Sequence, residues 1–489
     1  MAARTGQDYV DRLAQTRPTV DLNGERISGP VTEHPALAGV VATYAGLYDM
    51  QHDPDLRDVL TYESPTSGER VGSSFLVPRN DADLQHRRAG YQAWARHSMG
   101  FLGRTGDYLN SALMALSEAG DWFAQADPRF GDNAKAYYEM VREQDLLTTH
   151  TLIPPQANRA VGAAQEINGR ALGAHVVSQD DNGIVVRGAR MLATIGPIAD
   201  ELLVFPSTVL RGTPEDEPYS FAFAINCDAP GLRFVCREGI DYGRAHPLGG
   251  RFDEIDAVVI FDDVHVPWER VFMLGNPQLC NGFYSDTSAV VHMTHQVISR
   301  TLSKTETYLG LMSLITDAIG TEQFTHIQED LAEVIVMRGI LHGLLRASEA
   351  DAAPNAYGVH TPAWEPLNTA RNWYPKVSQR LPEMVRKFSA SGLMAVPTEG
   401  DITGDAASDI EAYLQSATLT GPERVRLFRL AWDASASSFA GRQTLYEHFF
   451  FGDPVRMAGA LLKATDREPF KDRVTEFIER VTAEAQVTA

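Results

Sequence analysis

The feature that most restricts how this chain can fold is a change of hydrophobic period. From about residue 184 to residue 267 it is a succession of short β-rich runs: "GIVVRGARML", "ELLVFPSTV", "YSFAFAI", "GLRFVC" and "IDAVVIFDDVHV". Turn chemistry separates them, as in Asp181-Asn182-Gly183 and Asp228-Ala229-Pro230-Gly231. In "YSFAFAI" Tyr219, Phe221, Phe223 and Ile225 alternate with Ser220, Ala222 and Ala224. That pattern predicts a strand with one bulky face, as in a small barrel or sandwich.

On both sides of this block the period is helical. "DYLNSALMALSEAGDWF" places Leu109, Ala112, Leu113 and Leu116 at spacings of three and four. "THIQEDLAEVIVMRGILHGLLRASEA" opens on a capping-box pattern, Thr325 and Gln328. It then sets Ile327, Leu331, Val334, Ile335, Leu341, Leu344 and Leu345 along one stripe. "TGPERVRLFRLAWDASASSF" begins with Gly421, Pro422 and Glu423, a helix start whose acid suits the positive end of the dipole. Helix, then antiparallel β, then helix is an α+β order with segregated layers. At 489 residues the chain is too long for one simple core. The divisions expected are an N-terminal helical domain (1–147), a β-barrel domain carrying ligand loops (148–275) and a C-terminal helical bundle (276–489). No GxGxxG follows a strand and no GxxxxGK[ST] occurs, so neither a Rossmann site nor a P-loop is supported.

Charge and cysteine narrow the function classes. Lys and Arg number 43 against 64 Asp and Glu, a net charge of −21, which argues against nucleic acid or an anionic membrane as partner. Cys227, Cys236 and Cys280 are odd in number and lack metal spacing, which fits a reduced compartment. The start "MAARTGQDYVDRLAQ" has no apolar signal region and no later stretch is long and apolar enough to span a bilayer. A cytoplasmic protein is expected. His265, His292, His295, His326 and His342 lack acidic or thiol partners at metal-ligand spacing, so no metal site is expected.

Four stretches carry candidate chemistry. "TTHTLIPPQANR", residues 148–159, sets one histidine among short polar donors beside two prolines and shows neither helix nor strand period. "GFLGRTGDYLN" puts Arg104 and Tyr108 four residues apart across a Gly103/Gly106 turn, with Asp107 placed as a helix N-cap. "MLATIGPIADELLVFPSTV" supplies Thr194, Ser207 and Thr208 at strand ends, and "FFFGDPVRM" breaks a helix at Gly452-Asp453-Pro454 before Arg456. Each has a bland reading: a structural histidine, a capped helix start, a strand end, a helix stop.

Together these segments resemble one family. "RTGQDYVDRL", "LYDMQHDP", "MGFLGRTGDYLN", "DLLTTHTLIPPQANR", "GIVVRGARMLAT", "VIFDDVHVPWERVF" and "LYEHFFFGDPVRM" follow, in this order, the two-component, reduced-flavin-dependent phenol monooxygenases of the 4-hydroxyphenylacetate 3-monooxygenase type. The resemblance covers nearly the whole chain. It implies the acyl-CoA dehydrogenase architecture of helical domain, β-barrel and four-helix bundle, as a homotetramer. It implies Arg104, Tyr108 and His150 around the phenol oxygen. It implies flavin contacts at His150, Thr151, Leu152, Gln156, Ala157, Asn158, Arg159 and Thr194. Ser207 and Thr208 are implied at the far end of the substrate. Gly452, Asp453, Pro454, Val455 and Arg456 are implied at the FAD phosphate or ribose.

The implied chemistry is ortho-hydroxylation of a para-substituted phenol, by default 4-hydroxyphenylacetate, through a flavin C4a-hydroperoxide formed from FADH2 and dioxygen. A neutral histidine near its ordinary pKa of ~6.5 would draw off the phenol proton. Arg104 would stabilise phenolate and Tyr108 would orient it. With no nicotinamide site in the chain, a separate NAD(P)H:flavin reductase would supply FADH2. Other phenols remain open as substrates: 4-hydroxyphenylpropanoids, tyrosine derivatives, chlorophenols or carrier-tethered phenols. Among rivals, an acyl-CoA dehydrogenase needs a carboxylate base where Arg, Tyr and His stand. An iron–sulfur hydroxyacyl-CoA dehydratase needs clustered thiolates, and no cysteine precedes Cys227. A non-catalytic relative would have no need of the Arg104, Tyr108 and His150 trio.

Overall fold

The computed structural model describes residues 3–158, 169–207, 210–240 and 246–488. The N-terminal part is helical, with Pro35–Asp49, Asp81–His97, Gly106–Glu118 and Pro128–Gln144 as its longer helices. Gly106–Glu118 exceeds the one-sided stripe read from its spacing: every residue from Gly106 to Ser117 is buried. It packs against the 31-residue helix Ala289–Ile319, the central rod of the molecule. Such a helix owes its place to packing on all sides, not to an amphipathic face.

The β-rich block forms as expected from its punctuation, yet it does not close into a barrel among the described residues. One sheet has six strands, in the order Glu25–Arg26, Thr19–Leu22, Leu232–Cys236, Asp256–Pro267, Gly183–Thr194 and His175–Asp180. The other has four, in the order Val271–Leu274, Phe221–Asn226, Glu201–Val204 and Thr148–Thr151. Closure requires every edge to be paired. Here the sheets touch through the Ile153–Met191 bridge and keep their edges. The long pair Gly183–Thr194 and Asp256–Pro267 slips register twice, and Leu192 and Asp263 take positive φ in that pair. These bulges bend the sheet without completing a circle. Nor is the pairing wholly antiparallel: Thr19–Leu22 runs parallel to Leu232–Cys236, and Thr148–Thr151 parallel to Glu201–Val204. Phe221 to Ile225 is buried on both faces, not on one bulky face.

The stretch around His150 is therefore a strand, although its sequence shows no strand period. All four residues of Thr148–Thr151 are buried, so hydroxyls and imidazole occupy both faces and no alternation of polarity can show. After Leu274 the chain is mainly helical, with Thr325–Ala350, Trp364–Val377, Arg380–Ser389, Gly421–Ser435 and Ser438–Phe449 gathered with the central rod. The capping box at Thr325 and Gln328 does not form, because the helix begins one residue earlier and Phe324 is its N-cap. Ile335, placed on the buried stripe by its spacing, is exposed. A capping box does form at Thr420 and Glu423. The last helix, Glu468–Thr488, shows Phe470, Val474, Phe477, Ile478 and Val481 to the outside. No described helix is long and apolar enough to cross a membrane.

Candidate active site

The strand Thr148–Thr151 has two functional sides. Thr149 and Thr151 share one, and their hydroxyls donate to the carbonyls of Thr194 (2.5 Å) and Met191 (2.8 Å). Thr148 and His150 share the other, and there Thr148 Oγ1 and His150 Nδ1 are buried without a hydrogen-bond partner among the described residues. One side ties the strand to the sheet. The other keeps polar atoms open for something else.

His150 is only 5% exposed, and its ring lies 5.8 Å from that of Tyr108 and 5.7 Å from that of Phe205. Burial, then the charge of Arg104, depresses its pKa well below the ordinary histidine value. The expectation of a near-ordinary pKa is corrected accordingly: this imidazole is a neutral acceptor throughout the physiological range. Tyr108, in the first turn of its helix, has its hydroxyl pKa raised by burial against the pull of Arg104 and Arg371.

Arg104 completes the trio. Its guanidinium carbon stands 4.5 Å from the Tyr108 ring centre and 4.2 Å from that of Phe450, and Nη1 donates to the Tyr446 hydroxyl at 2.7 Å. No carboxylate is paired with it among the described residues. Its loop is fixed by Glu254 Oε1, which accepts from the amides of Gly103 (2.7 Å) and Arg104 (2.6 Å). Gly103 is needed here: a Cβ would stand 2.0 Å from the Tyr446 hydroxyl. The expected N-cap role of Asp107 is not seen. Thr105 is the N-cap residue, and Asp107 instead accepts from the Thr105 hydroxyl (2.6 Å) and Gln296 (3.1 Å).

An ionic chain links this loop to Thr194. Arg442 bonds Glu254 at 3.1 Å and Asp256 at 3.0 and 2.9 Å, and Asp256 accepts from Thr194 Oγ1 at 2.8 Å. Burial works to raise the Asp256 pKa, but Arg442 and Arg237 outweigh it and hold the carboxyl below its usual range. The carboxylate therefore stays ionised and orients the Thr194 hydroxyl.

The remaining expected residues are more scattered. Leu152 follows His150, and its carbonyl accepts from Arg190 Nη1 at 2.6 Å. Gln156, Ala157 and Asn158 are exposed, while Arg159 and Thr208 lie outside the described residues. Ser207 is 5% exposed, just beyond Phe205. Gly452 to Arg456 are not brought to the trio: Val455 is 81% exposed, and Asp453 caps the helix Pro454–Ala464 through the Arg456 amide at 2.9 Å. Gly452, at φ 114°, makes the turn that separates this segment from Phe450.

Sequence reasoning did not single out Phe205, Glu254, Tyr284, Arg371, Arg442, Tyr446 or Phe450. Tyr446 and Phe450 had a readable signal, the i, i+4 aromatic pair within "LYEHFFFGDP", whose rings stack at 4.8 Å. Among described residues His292 and His295 have protein partners, Arg87 and Glu349, and no metal cluster is present.

Comparison with known proteins decides the family. Residues 5–273 match the family model "4-hydroxyphenylacetate 3-hydroxylase N terminal", and residues 280–479 match "4-hydroxyphenylacetate 3-hydroxylase C terminal". The chain belongs to the 4-hydroxyphenylacetate 3-hydroxylase family. Within that family it is 46% identical over 482 residues to the 4-hydroxyphenylacetate 3-monooxygenase oxygenase component of Geobacillus sp. (strain PA-9), covering 98% of this chain and 97% of that protein. A more distant relative in Streptomyces globisporus, 31% identical over 92% of this chain and 85% of its own length, is a monooxygenase of (3S)-3-amino-3-(3-chloro-4-hydroxyphenyl)propanoyl-[peptidyl-carrier protein SgcC2]. A crystal structure of a 4-hydroxyphenylacetate 3-monooxygenase oxygenase component complexed with FAD and 4-hydroxyphenylacetate superposes with a TM-score of 0.93 at 45% identity, covering 98% of this chain and 99% of the other. The 4-hydroxybutyryl-CoA dehydratase of N. maritimus shares the fold alone, at a TM-score of 0.86 and 16% identity over 98% of this chain and 95% of the other. This 4-hydroxyphenylacetate 3-hydroxylase family chain is an oxidoreductase of the monooxygenase class.

Proposed function

We propose that the chain is the oxygenase component of a two-component, FADH2-dependent monooxygenase that hydroxylates a para-substituted phenol ortho to its hydroxyl. The default substrate is 4-hydroxyphenylacetate, giving 3,4-dihydroxyphenylacetate. The observation that carries this reading is the convergence of a neutral His150, the Tyr108 hydroxyl and an Arg104 without a carboxylate. A dehydrogenase base would be a carboxylate, and the trio of Arg104, Tyr108 and His150 includes none.

The residues present fit FAD. An enclosed strand side with two unpartnered polar atoms and a Thr194 hydroxyl fixed by Asp256 suit the polar edge of an isoalloxazine. Those groups, with Thr151, Leu152 and residues 156–159, would hold the ring, and residues 452–456 the phosphate or ribose. When bound, reduced FAD supplies the activated oxygen from dioxygen. The chain supplies the rest. Neutral His150 accepts the phenol proton or its hydrogen bond, and Arg104 stabilises the phenolate by a charge-assisted bond. Tyr108 orients the ring, Phe205 and Phe450 keep water out, and Ser207 and Thr208 meet the far end of the substrate.

FADH2 comes from a separate NAD(P)H:flavin reductase. The apolar stripe on Glu468–Thr488 supports a homotetramer in which a neighbouring copy covers it. The unpaired Cys227, Cys236 and Cys280 support a cytoplasmic location.

The test is a single turnover. Protein is mixed anaerobically with chemically reduced FAD and 4-hydroxyphenylacetate, air is admitted, and a product heavier by one oxygen is sought by mass spectrometry. A catechol carries the proposal; peroxide alone with every phenol tried removes it. In His150→Ala the product yield should fall by about 10²-fold, with peroxide rising in its place and flavin affinity retained. Unchanged coupling of oxygen use to product would take His150 out of the reaction.

A further inference from the structure

We propose that Arg442 is a positioning residue for hydroxylation: it holds Arg104 and Thr194 in one frame, so that losing it divides oxygen use from product formation. This role rests on the proposed function, which puts the phenol at Arg104 and the flavin at Thr194. It adds a residue that need touch neither ligand.

Arg442 lies on the helix Ser438–Phe449, and its side chain is 11% exposed. Its guanidinium divides between two acids. Nε and Nη2 donate to the two oxygens of Asp256 at 3.0 and 2.9 Å, and Nη1 donates to Glu254 Oε2 at 3.1 Å. Each acid is bonded in turn to a different half of the site. Asp256 Oδ1 accepts from the Thr194 hydroxyl, and Glu254 Oε1 accepts from the amides of Gly103 and Arg104. A further contact reaches the other end of Arg104. The Arg442 guanidinium carbon stands 4.7 Å from the Tyr446 ring centre, and the Tyr446 hydroxyl accepts from Arg104 Nη1 at 2.7 Å. Arg442 thus bears on Arg104 twice, on its amide through Glu254 and on its guanidinium through Tyr446.

The backbone beside these acids closes the frame. The amide of Ile195, next in the chain to Thr194, donates to the carbonyls of Glu254 and Ile255 at 3.0 and 3.1 Å. Ile195 stands at φ 61°, a left-handed conformation that a β-branched residue holds only where its surroundings enforce it. A structural ion pair needs one acid, whereas Arg442 spans two that serve different sides of the site. A planar fork makes both contacts at once; an ammonium offers a point charge. Asp256 also meets Arg237 Nε at 3.0 Å, so it keeps a cation if Arg442 is lost. Fully buried Glu254 has no other cation among the described residues. The Arg104 half should therefore loosen more than the Thr194 half. Reacting groups must meet within about 3–3.5 Å, and a misplacement of about 1 Å can cost about 10²-fold.

The test uses Arg442→Met, Arg442→Lys and Glu254→Gln, with every value scaled to the folded fraction from urea unfolding. Glu254→Gln keeps an acceptor for the two amides and tests the same link if Arg442→Met does not fold. The first readout is amide hydrogen exchange in the flavin-free protein. In Arg442→Met the segment carrying the Gly103 and Arg104 amides should exchange about tenfold faster, and the strand Gly183–Thr194 less than about twofold faster. The second is a single turnover with reduced FAD and 4-hydroxyphenylacetate. Catechol yield should fall about tenfold with peroxide in its place, while the affinities for reduced FAD and for the phenol stay within about threefold. Arg442→Lys should recover part of the yield, and Glu254→Gln should lose about fivefold. Unchanged exchange at residues 103 and 104 overturns the inference. So does a yield per folded molecule equal to that of the wild type, which would make Arg442 a structural residue only. A loss confined to the affinity for reduced FAD also overturns it, by making Arg442 a cofactor contact. A wild type that forms no product from any phenol overturns the proposed function and this role together.

Discussion

Two regions of the interior handle arginine in opposite ways. In the helical bundle Arg300 sets its terminal nitrogens on Glu447 at 2.7 and 2.9 Å, and Lys304 joins the same carboxylate at 2.7 Å. Arg442 is likewise held by Glu254 and Asp256. At the site, Arg104 and Arg190 rest on aromatic rings and neutral acceptors. Charge paired with a carboxylate fixes helices and loops and leaves little for a ligand. Charge on ring faces and carbonyls is held in place yet stays available, which is what an anionic transition state or substrate requires.

Removing one partner from the paired region should have the largest effect. Glu447→Ala leaves Arg300 and Lys304 buried without an anion and should cost about 3–5 kcal/mol in urea unfolding, with kcat per folded molecule nearly unchanged. A loss below about 1 kcal/mol would erase the contrast. Arg104→Met should do the reverse. Hydroxylation should fall by about 10²–10³-fold, equivalent to roughly 3–4 kcal/mol, while unfolding stability stays within about 1 kcal/mol of the wild type. A strongly destabilised variant would place Arg104 with the structural arginines.

The smallest effect belongs to a buried acid with no cation. Burial raises the Asp107 pKa to about 6, against hydrogen bonds from Thr105 and Gln296. The folded state therefore binds more protons than the unfolded one between about pH 4 and 6, and stability falls as pH rises through that window. Asp107→Asn should abolish that fall, a change on the order of 2–3 kcal/mol at most from the two-unit shift. Denaturant midpoints at pH 5 and 7.5 check it; an equally steep fall in the variant would place the titration elsewhere.

What could be read from the sequence was what depends on near neighbours. The β-rich block and flanking helices announced themselves through period and turn residues, and the segments bearing Arg104, Tyr108 and His150 stood out by composition. Closure of the sheets was not legible, because the bulges at Leu192 and Asp263 arise from strand pairing rather than from any one strand. The His150 strand was hidden because burial on both faces erases alternation. Arg190, Glu254 and Tyr284 look unremarkable in sequence. Their meaning lies in what they meet or fail to meet across the fold, from Glu254 on the amides of residues 103 and 104 to the unpartnered Tyr284 hydroxyl.

The helix Ser438–Phe449 carries both of the regions compared above on two adjoining faces. Arg442 and Tyr446 reach the Glu254 and Arg104 loops, while Gln443 and Glu447 bond Lys304 and, separately, the Phe101 carbonyl and Arg300. One added or deleted residue between Arg442 and Glu447 would turn everything beyond it by about 100° and slide it about 1.5 Å. Both faces would lose register together, so chain-length variation that a surface loop absorbs has no neutral outcome in this helix.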